Sequence, residues 1–506
     1  MYRGSSKKIY ISIKQLEEFR MKQLHNYLDK KSIDDYILVF LVFLGVLSSS
    51  ITSISLVFYE YDLDYSEGFM IANTENMIDS GNLYTDSTLE NGFNAVKYTP
   101  IYYFLMAFLS YFTGLELLTG RLINIISTLG IVGVIHLIIK EVTGSKNFLI
   151  PLIFVIPYLT VFTASTVRTD MFALLFSLTG IYFVLKDRIN LSALLLLAAF
   201  FTKQSFVAAF LASSIYLLLQ TNLKDQLNRL REKRFKQFLS HKNRFFRLGI
   251  FYCSGIVLGL SLLHLWSPHA LQNIFLANLA GFEVRWELIN WLHLTFLPVF
   301  ILTLYHIYMS RDYLFGPYMA FATFLMIFQM LRGGAWVHSA IEVYAVMIIC
   351  VGIIYTKAVK VRKALNYLLV LQVSLLILAP MVSGNILDIK EASEFNKETD
   401  QKIISYIQDS EGPIYVEHIG YELGLKEEYS PETWGFYEQY AAGNIDETDV
   451  IKHFESREYE YIITHNRLHK LPVEDYIDEN YEVIDRLERK DMILNTENWR
   501  VYRWED

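Results

Sequence analysis

The 506-residue sequence contains only two cysteines, Cys253 and Cys350, and they lie in separate apolar runs. That spacing excludes a disulfide framework and a cysteine metal site, and it leaves both as small buried hydrophobes. Charge is scarce as well: Asp, Glu, Lys and Arg make up 19% of the chain, against about 25% in soluble domains. Cations are nearly missing from residues 59–98, where Lys97 stands alone among Glu60, Asp62, Asp64, Glu67, Glu75, Asp79, Asp86 and Glu90. The N-terminal stretch is too polar for a cleavable signal peptide, so residues 36–58 read as a retained signal-anchor helix. There is no inverted repeat and no matched pair of Gly/Pro-broken helices, which disfavours a transporter. A His-rich or Asp-x-Asp ligand set is also missing, and "DLD" at 62–64 is the nearest approach to one.

What the chain has in excess is apolar surface. Hydrophobic residues are 53% of the total and aromatics 15%, and the mean hydropathy is +0.27. Runs long enough to approach a crossing of about 30 Å centre on 36–58, 117–139, 148–164, 169–185, 190–202, 205–220, 248–265, 290–309, 314–330, 340–355 and 365–383. This predicts a polytopic α-helical membrane protein with about eleven transmembrane helices. With the N-terminus inside, the basic clusters "MYRGSSKKIY", "IIKEVTGSK", "LKDRIN", "KDQLNRLREKRFKQFLSHKNRFFR", "SRDY" and "TKAVKVRKA" all fall on the cytoplasmic side. The acidic loop 59–98 then faces outward. The basic loop at 222–247 reads as an amphipathic helix on the anionic inner leaflet rather than a nucleic-acid patch.

Composition changes after about residue 385, and an odd number of spans places the tail outside. "EASEFNKETDQKIISYIQDS" repeats apolar residues at helical spacing, "GPIYVEHIG" and "YEYIITHN" read as buried strands, and "YEVIDRLER" and "NWRVYRW" as later ones. The expected organisation is a cytoplasmic segment 1–35, a transmembrane domain 36–384 and a small extracytoplasmic α/β domain 385–506.

"DYSEGFMIANTENMIDSGNLYTD" followed by "KYTPIYYFLMAFLSYFTGLELLTGRLINIISTLG" resembles the opening of GT-C membrane glycosyltransferases, the superfamily of protein O-mannosyltransferases and the aminoarabinose transferases that modify lipid A. "RTDMFALLFSLTGIYFVLKD", "FFTKQSFVAAFL" and "RGGAWVHSAIEVYA" continue the resemblance at outer helix ends, so that it covers roughly residues 36–383 by order and local pattern. One departure is that the family's adjacent acidic pair is replaced by Asp64 and Glu67, with Asp62 as a further candidate.

The resemblance implies transfer of a sugar from a polyprenyl-phosphate donor to an acceptor hydroxyl, with inversion, at the outer face of the membrane. Its site is in the plasma membrane of a prokaryote, the bilayer itself is a partner, and the acceptor is a lipid, glycan or protein. Such a reaction needs a base for the acceptor proton. Asp64 ranks first for it, then Glu67 as partner or metal-side ligand, then Asp62, which sits nearest the helix end and reads as solvated charge. The leaving phosphate needs cations or N–H donors, for which Lys203, Arg121, Arg168, Arg332 and His338 stand near outer helix ends. For Arg121, snorkelling to headgroups is an equal reading. Gln204, Asp170 and Glu342 are acceptor-binding or structural: Asp170 could pair with Arg168, and Glu342 could share a helix face with His338. A divalent cation, magnesium or manganese, stays open without a ligand set that compels it. Two other classes also stay open, a transporter or flippase and a lipid-linked glycan ligase.

Overall fold

The computed structural model describes residues 33–86, 96–220, 244–276, 286–310, 313–331, 337–358, 361–382 and 389–504, apart from short breaks at 427–428, 442, 444, 466–467, 469–470 and 491–495. Most apolar runs form helices. They include α1 (Ile33–Val57), α2 (Tyr65–Ser80), α3 (Ile101–Thr113), α4 (Leu117–Thr143), α5 (Tyr158–Ser165), α6 (Asp170–Leu185), α7 (Ile189–Thr202), α8 (Ala208–Leu219), α9 (Arg244–Trp266), α10 (Trp286–Ser310), α11 (Phe315–Met330), α12 (Ile341–Lys357) and α13 (Arg362–Val382).

Among the described residues, four helical stretches are long and apolar enough to cross a membrane alone: Ile33–Val57, Leu117–Thr143, Arg244–Trp266 and His338–Lys357. The pair α5 and α6, bent by 109°, makes a fifth. The chain is an integral membrane protein. Helices α7, α8 and α11 have 14, 12 and 16 residues, short of the roughly 20 that a straight crossing takes.

The run 148–164 is not the single span its composition suggests. It consists of a helical turn at Leu149–Leu152, a 3-10 turn at Ile153–Val155, and α5. Pro151 and Pro157 supply no N–H to a helical ladder, and a proline ring clashes with the carbonyl four residues back. The released carbonyls find other donors: Ser49 Oγ reaches Ile156 O at 3.0 Å and Tyr344 OH reaches Ile153 O at 2.8 Å. Non-helical backbone inside a membrane protein needs such partners.

After α13 the chain forms an amphipathic helix, α14 (Ile389–Asp409), and a four-stranded sheet of β1 (Ile414–Val416), β2 (Tyr461–Thr464), β3 (Tyr481–Lys490) and β4 (Thr496–Trp504). The order is β1-β2-β4-β3, with β1 parallel to β2 and the other pairs antiparallel. The parallel crossover from β1 to β2 carries α15 (Thr433–Ala441) and α16 (Glu447–Arg457), the latter opened by an Asp446/Asp449 capping box. One face of the sheet packs Tyr415, Ile462 and Tyr502 against Phe436, Val450 and Phe454. The other packs Val416, Ile463, Leu487 and Trp499 against Ile403 and Ile407 of α14, with Tyr61 of the first loop at its edge.

This C-terminal layer sits directly on the start of α2. A Cβ on Gly68 would come within 2.2 Å of the Gly420 nitrogen, and one on Gly420 within 1.8 Å of Asp62 Oδ2, so only glycine permits the approach. Ile419 packs with Phe69 and Ala72 of α2, and Lys97 pairs with Glu432 at 3.5 Å.

Candidate active site

The three acids of the first loop meet three different environments. Asp64 is the N-cap of α2. Its side chain accepts from Ser66 N at 2.9 Å and from the Ser66 hydroxyl, and lies 3.2 Å from Arg168 Nη1. Its side chain is 18% exposed, against 0% for Glu67, so Asp64 is the more accessible of the two.

Glu67 is fully engaged. Its Oε1 accepts from Arg121 Nε at 2.9 Å and Val167 N at 2.8 Å, and its Oε2 from Arg121 Nη2 at 2.7 Å and Leu63 N at 2.6 Å. Arg121 is equally committed. Its remaining N–H groups go to the carbonyls of Leu56 (3.3 Å), Tyr59 (2.5 Å) and Tyr61 (2.7 Å), which together with Glu67 account for all five guanidinium donors. Arg121 is buried, and among the described residues each of its donors is engaged in this geometry; with Glu67 it ties the start of α2 to α4.

Asp62, expected to be ordinary solvated charge, is 1% exposed. Among the described residues neither carboxyl oxygen has a hydrogen-bond partner. Burial first, and then the Glu67 charge, push its pKa well above the usual carboxylate range. Its exposure was misjudged because Gly420, 358 positions away in the chain, covers it. Asp62 lies under Gly420 and Asp64 against Arg168. Among the described residues no group of three or more His, Cys, Asp or Glu side chains could hold a metal ion.

A bend in the chain gathers the cations. Between α5 and α6 the backbone leaves helical geometry at Thr166–Thr169. Asn124 Nδ2 donates to Thr166 O at 2.6 Å and Arg168 O at 2.8 Å, while Val167 N is held by Glu67. The bend sets Arg168 against Asp64 and starts α6 at Asp170, which pairs with Lys203 at 2.7 Å. Lys203 ends α7, with its Nζ 5.3 Å from the centre of the Tyr98 ring. His338, also buried, lies within electrostatic range of Arg168, Asp170, Lys203 and Asp64. The structure thus brings together Asp64, Arg168, Asp170, Lys203 and His338.

The other candidates fall elsewhere. Gln204 bridges the carbonyls of Lys97 (2.7 Å) and Ile274 (3.2 Å), a structural role. Glu342 accepts from Tyr318 OH at 2.9 Å, a different partner from the His338 expected from helical spacing. Asp170 takes Lys203 rather than Arg168 as its close ion-pair partner. Arg332 lies outside the described residues.

An apolar groove of about 310 Å³ is lined by Pro100, Ile101, Phe201, Gly259, Leu263 and Trp266 among others. Two of its lining residues stand close in sequence to the Lys203–Tyr98 contact: Pro100 follows Tyr98 by two residues and Phe201 precedes Lys203 by two.

Sequence reasoning passed over Asn124 and Tyr98. The signal for Asn124 was present: it stands three residues after Arg121, on the same face of an otherwise apolar helix.

No protein-family model matches the sequence, and no curated protein does. Solved structures do match in fold. ArnT from Cupriavidus metallidurans bound to undecaprenyl phosphate superposes with a TM-score of 0.55 at 11% identity, covering 91% of this chain and 97% of that one. Its apo state gives the same TM-score and coverage at 12% identity. Archaeal oligosaccharyltransferase AglB from Archaeoglobus fulgidus, in complex with an inhibitory peptide and a dolichol-phosphate, gives 0.50 at 11% identity over 87% of this chain and 70% of that one. Both proteins belong to the GT-C superfamily, and this chain has their fold.

Proposed function

We propose that this GT-C-fold protein is a glycosyltransferase that moves a sugar from a polyprenyl-phosphate donor to an acceptor hydroxyl, with inversion, on the extracytoplasmic face of a prokaryotic plasma membrane. The observation that carries the reading is the gathering of a partly exposed carboxylate, Asp64, with Arg168, Lys203 and His338, in a chain that also has an apolar groove lined by Pro100 and Phe201, two residues from Tyr98 and Lys203 in sequence. A lipid phosphate matches both features, with an apolar tail ending in an anion. The solved structures of similar fold that hold undecaprenyl phosphate and dolichol-phosphate support the ligand class.

In this reading the isoprenoid tail occupies the groove at Pro100, Phe201 and Gly259, and the phosphate faces Lys203 and Arg168. Asp64 accepts the acceptor proton as its oxygen attacks the anomeric carbon. The bond to the phosphate oxygen breaks, and its electron pair stays with the phosphate, which the cations stabilise. Arg168 holds Asp64 in place, and Asp170 holds Lys203.

The test compares lipids and glycans from cells with and without the protein by mass spectrometry. A lost hexose-, pentose- or aminosugar-sized increment, restored by the wild-type chain and not by Asp64→Asn, is the expected result. An unchanged glycan profile together with accumulated or mislocalised lipid donor would point instead to a flippase, and use of a lipid-diphosphate oligosaccharide to a ligase.

A further inference from the structure

The loop that ends at Asp64 is held from two sides by two arginines. From α4, Arg121 donates to the carbonyls of Leu56, Tyr59 and Tyr61 while paired with buried Glu67. From β3, Arg489 donates to the carbonyl of Asp62 at 2.5 Å while paired with buried Asp400 of α14 at 3.1 Å. Asp400 also accepts from Tyr59 OH and Tyr421 OH, so it joins the loop, the turn after β1 and the sheet. Arg489 is 3% exposed and Asp400 0%.

Between them the two arginines bind the carbonyls of Leu56, Tyr59, Tyr61 and Asp62 in the nine residues that lead to Asp64. An arginine fork that is itself fixed by a buried carboxylate cannot follow a moving loop. Holding a reacting group in place is worth a great deal: a misplacement of 1 Å costs about 10²-fold in rate.

We infer that Arg489 and Asp400, supplied by the C-terminal layer, are positioning residues for Asp64, and that the layer is a working part of the active site rather than an appended module. The inference rests on Asp64 being the base. Tyr421 is the third member of the device, since it orients Asp400 from the turn that also carries Gly420 onto Gly68.

The experiment uses the full chain in nanodiscs, with Arg489→Ala, Arg489→Lys, Asp400→Asn and Tyr421→Phe. The first readout is hydrogen exchange at the Leu63 and Ser66 amides, which are bonded to Glu67 and Asp64. It needs no sugar donor. Arg489→Ala is expected to raise exchange there at least about tenfold while β2 and β4 stay protected, and Arg489→Lys to recover part of the protection.

The second readout is transfer from a polyprenyl-phosphate sugar, where kcat is expected to fall about 10²-fold with unchanged donor KM and unchanged binding of undecaprenyl phosphate. Should Arg489→Ala not fold, Tyr421→Phe removes one bond to Asp400 and is expected to give the same pattern more weakly. Unchanged exchange at Leu63 and Ser66 in every folded variant overturns the inference, as does a loss of turnover that appears in donor KM alone. Wild-type protein without transfer activity defeats the glycosyltransferase reading instead, and the exchange result still decides whether the two arginines fix the loop.

Discussion

Asp64→Asn separates the two tasks of Asp64. Asparagine caps a helix as well as aspartate does, so α2 keeps its start, while the oxygen that would take a proton is lost. Turnover is expected to fall roughly 10²- to 10⁴-fold with donor binding retained. Near-normal turnover in that variant would remove Asp64 from the chemistry. Glu67→Gln acts differently: it leaves Arg121 without a counter-charge at a site with no exposure, where breaking a buried pair costs about 3–5 kcal/mol. The expected outcome is a large loss of thermal stability or of folded yield, measured by size-exclusion chromatography after heating. Lys203 combines both effects. Lys203→Ala is expected to raise donor KM, since a charge-assisted contact is worth about 1.5–3 kcal/mol, and also to strand Asp170. The double variant Lys203→Met/Asp170→Leu should recover the stability and keep the donor KM high. Recovery of both would assign the pair to packing alone.

At the scale of elements, the break between α5 and α6 does for the cations what the α2 cap does for Asp64. Asn124 satisfies the Thr166 and Arg168 carbonyls, and leaving buried polar groups unpaired costs about 1–3 kcal/mol each. Asn124→Leu is therefore expected to lower stability by that order and to weaken undecaprenyl phosphate binding, because Arg168 loses its fixed backbone. Binding at wild-type strength would show that the bend holds without Asn124. The sheet region carries its own pH dependence. Glu422 is buried beside Ser430, and burial pushes its pKa up to about 8. A carboxyl whose proton is held more tightly when folded stabilises fully below its unfolded pKa, and the benefit is lost as pH rises through the folded value. Stability of this region should accordingly fall from about pH 4.5 to pH 8, and Glu422→Gln should flatten that slope. His453 has the opposite sign. Burial, then Arg457, lowers its pKa to about 4, so its contribution is present above pH 6.5 and lost as pH falls towards 4. Thermal melts from pH 4 to 9 with Glu422→Gln and with His453→Gln check the two windows separately.

For the molecule as a whole, charge asymmetry predicts the side of the membrane on which the C-terminal layer lies. In a background lacking Cys253 and Cys350, an impermeant thiol reagent on intact cells is expected to label Lys452→Cys, an exposed position on α16, and to spare Lys233→Cys. The reverse pattern would put Asp64 on the cytoplasmic side. What could be read from the sequence was whatever is periodic or local. The helical runs, the strands at 414–416, 461–464, 481–490 and 496–504, and the acidic loop with cations near outer helix ends all announce themselves within a few residues. The two-arginine device left only faint marks. Asp400 stands on the apolar stripe of α14 with Ile403 and Ile407, and Arg489 alternates with Leu487 on the inward side of β3.

The sequence by itself determined that this chain lives in a membrane, which residue types gather at its helix ends, and where regular structure begins, because hydrophobic period, proline and caps act over one or two turns. It ranked Asp64, Glu67 and Asp62 in that order without access to what covers each. Asp62, Asp64 and Glu67 lie within six residues and have similar intrinsic chemistry, so their roles depend on what covers each. Arg121 takes Glu67, Gly420 closes over Asp62, and Asp64 remains beside Arg168. Those partners come from 54, 358 and 104 positions away. Only tertiary contact at such range fixes desolvation and hydrogen-bond supply, and those two quantities decide which carboxylate is buried in an ion pair and which keeps some exposure.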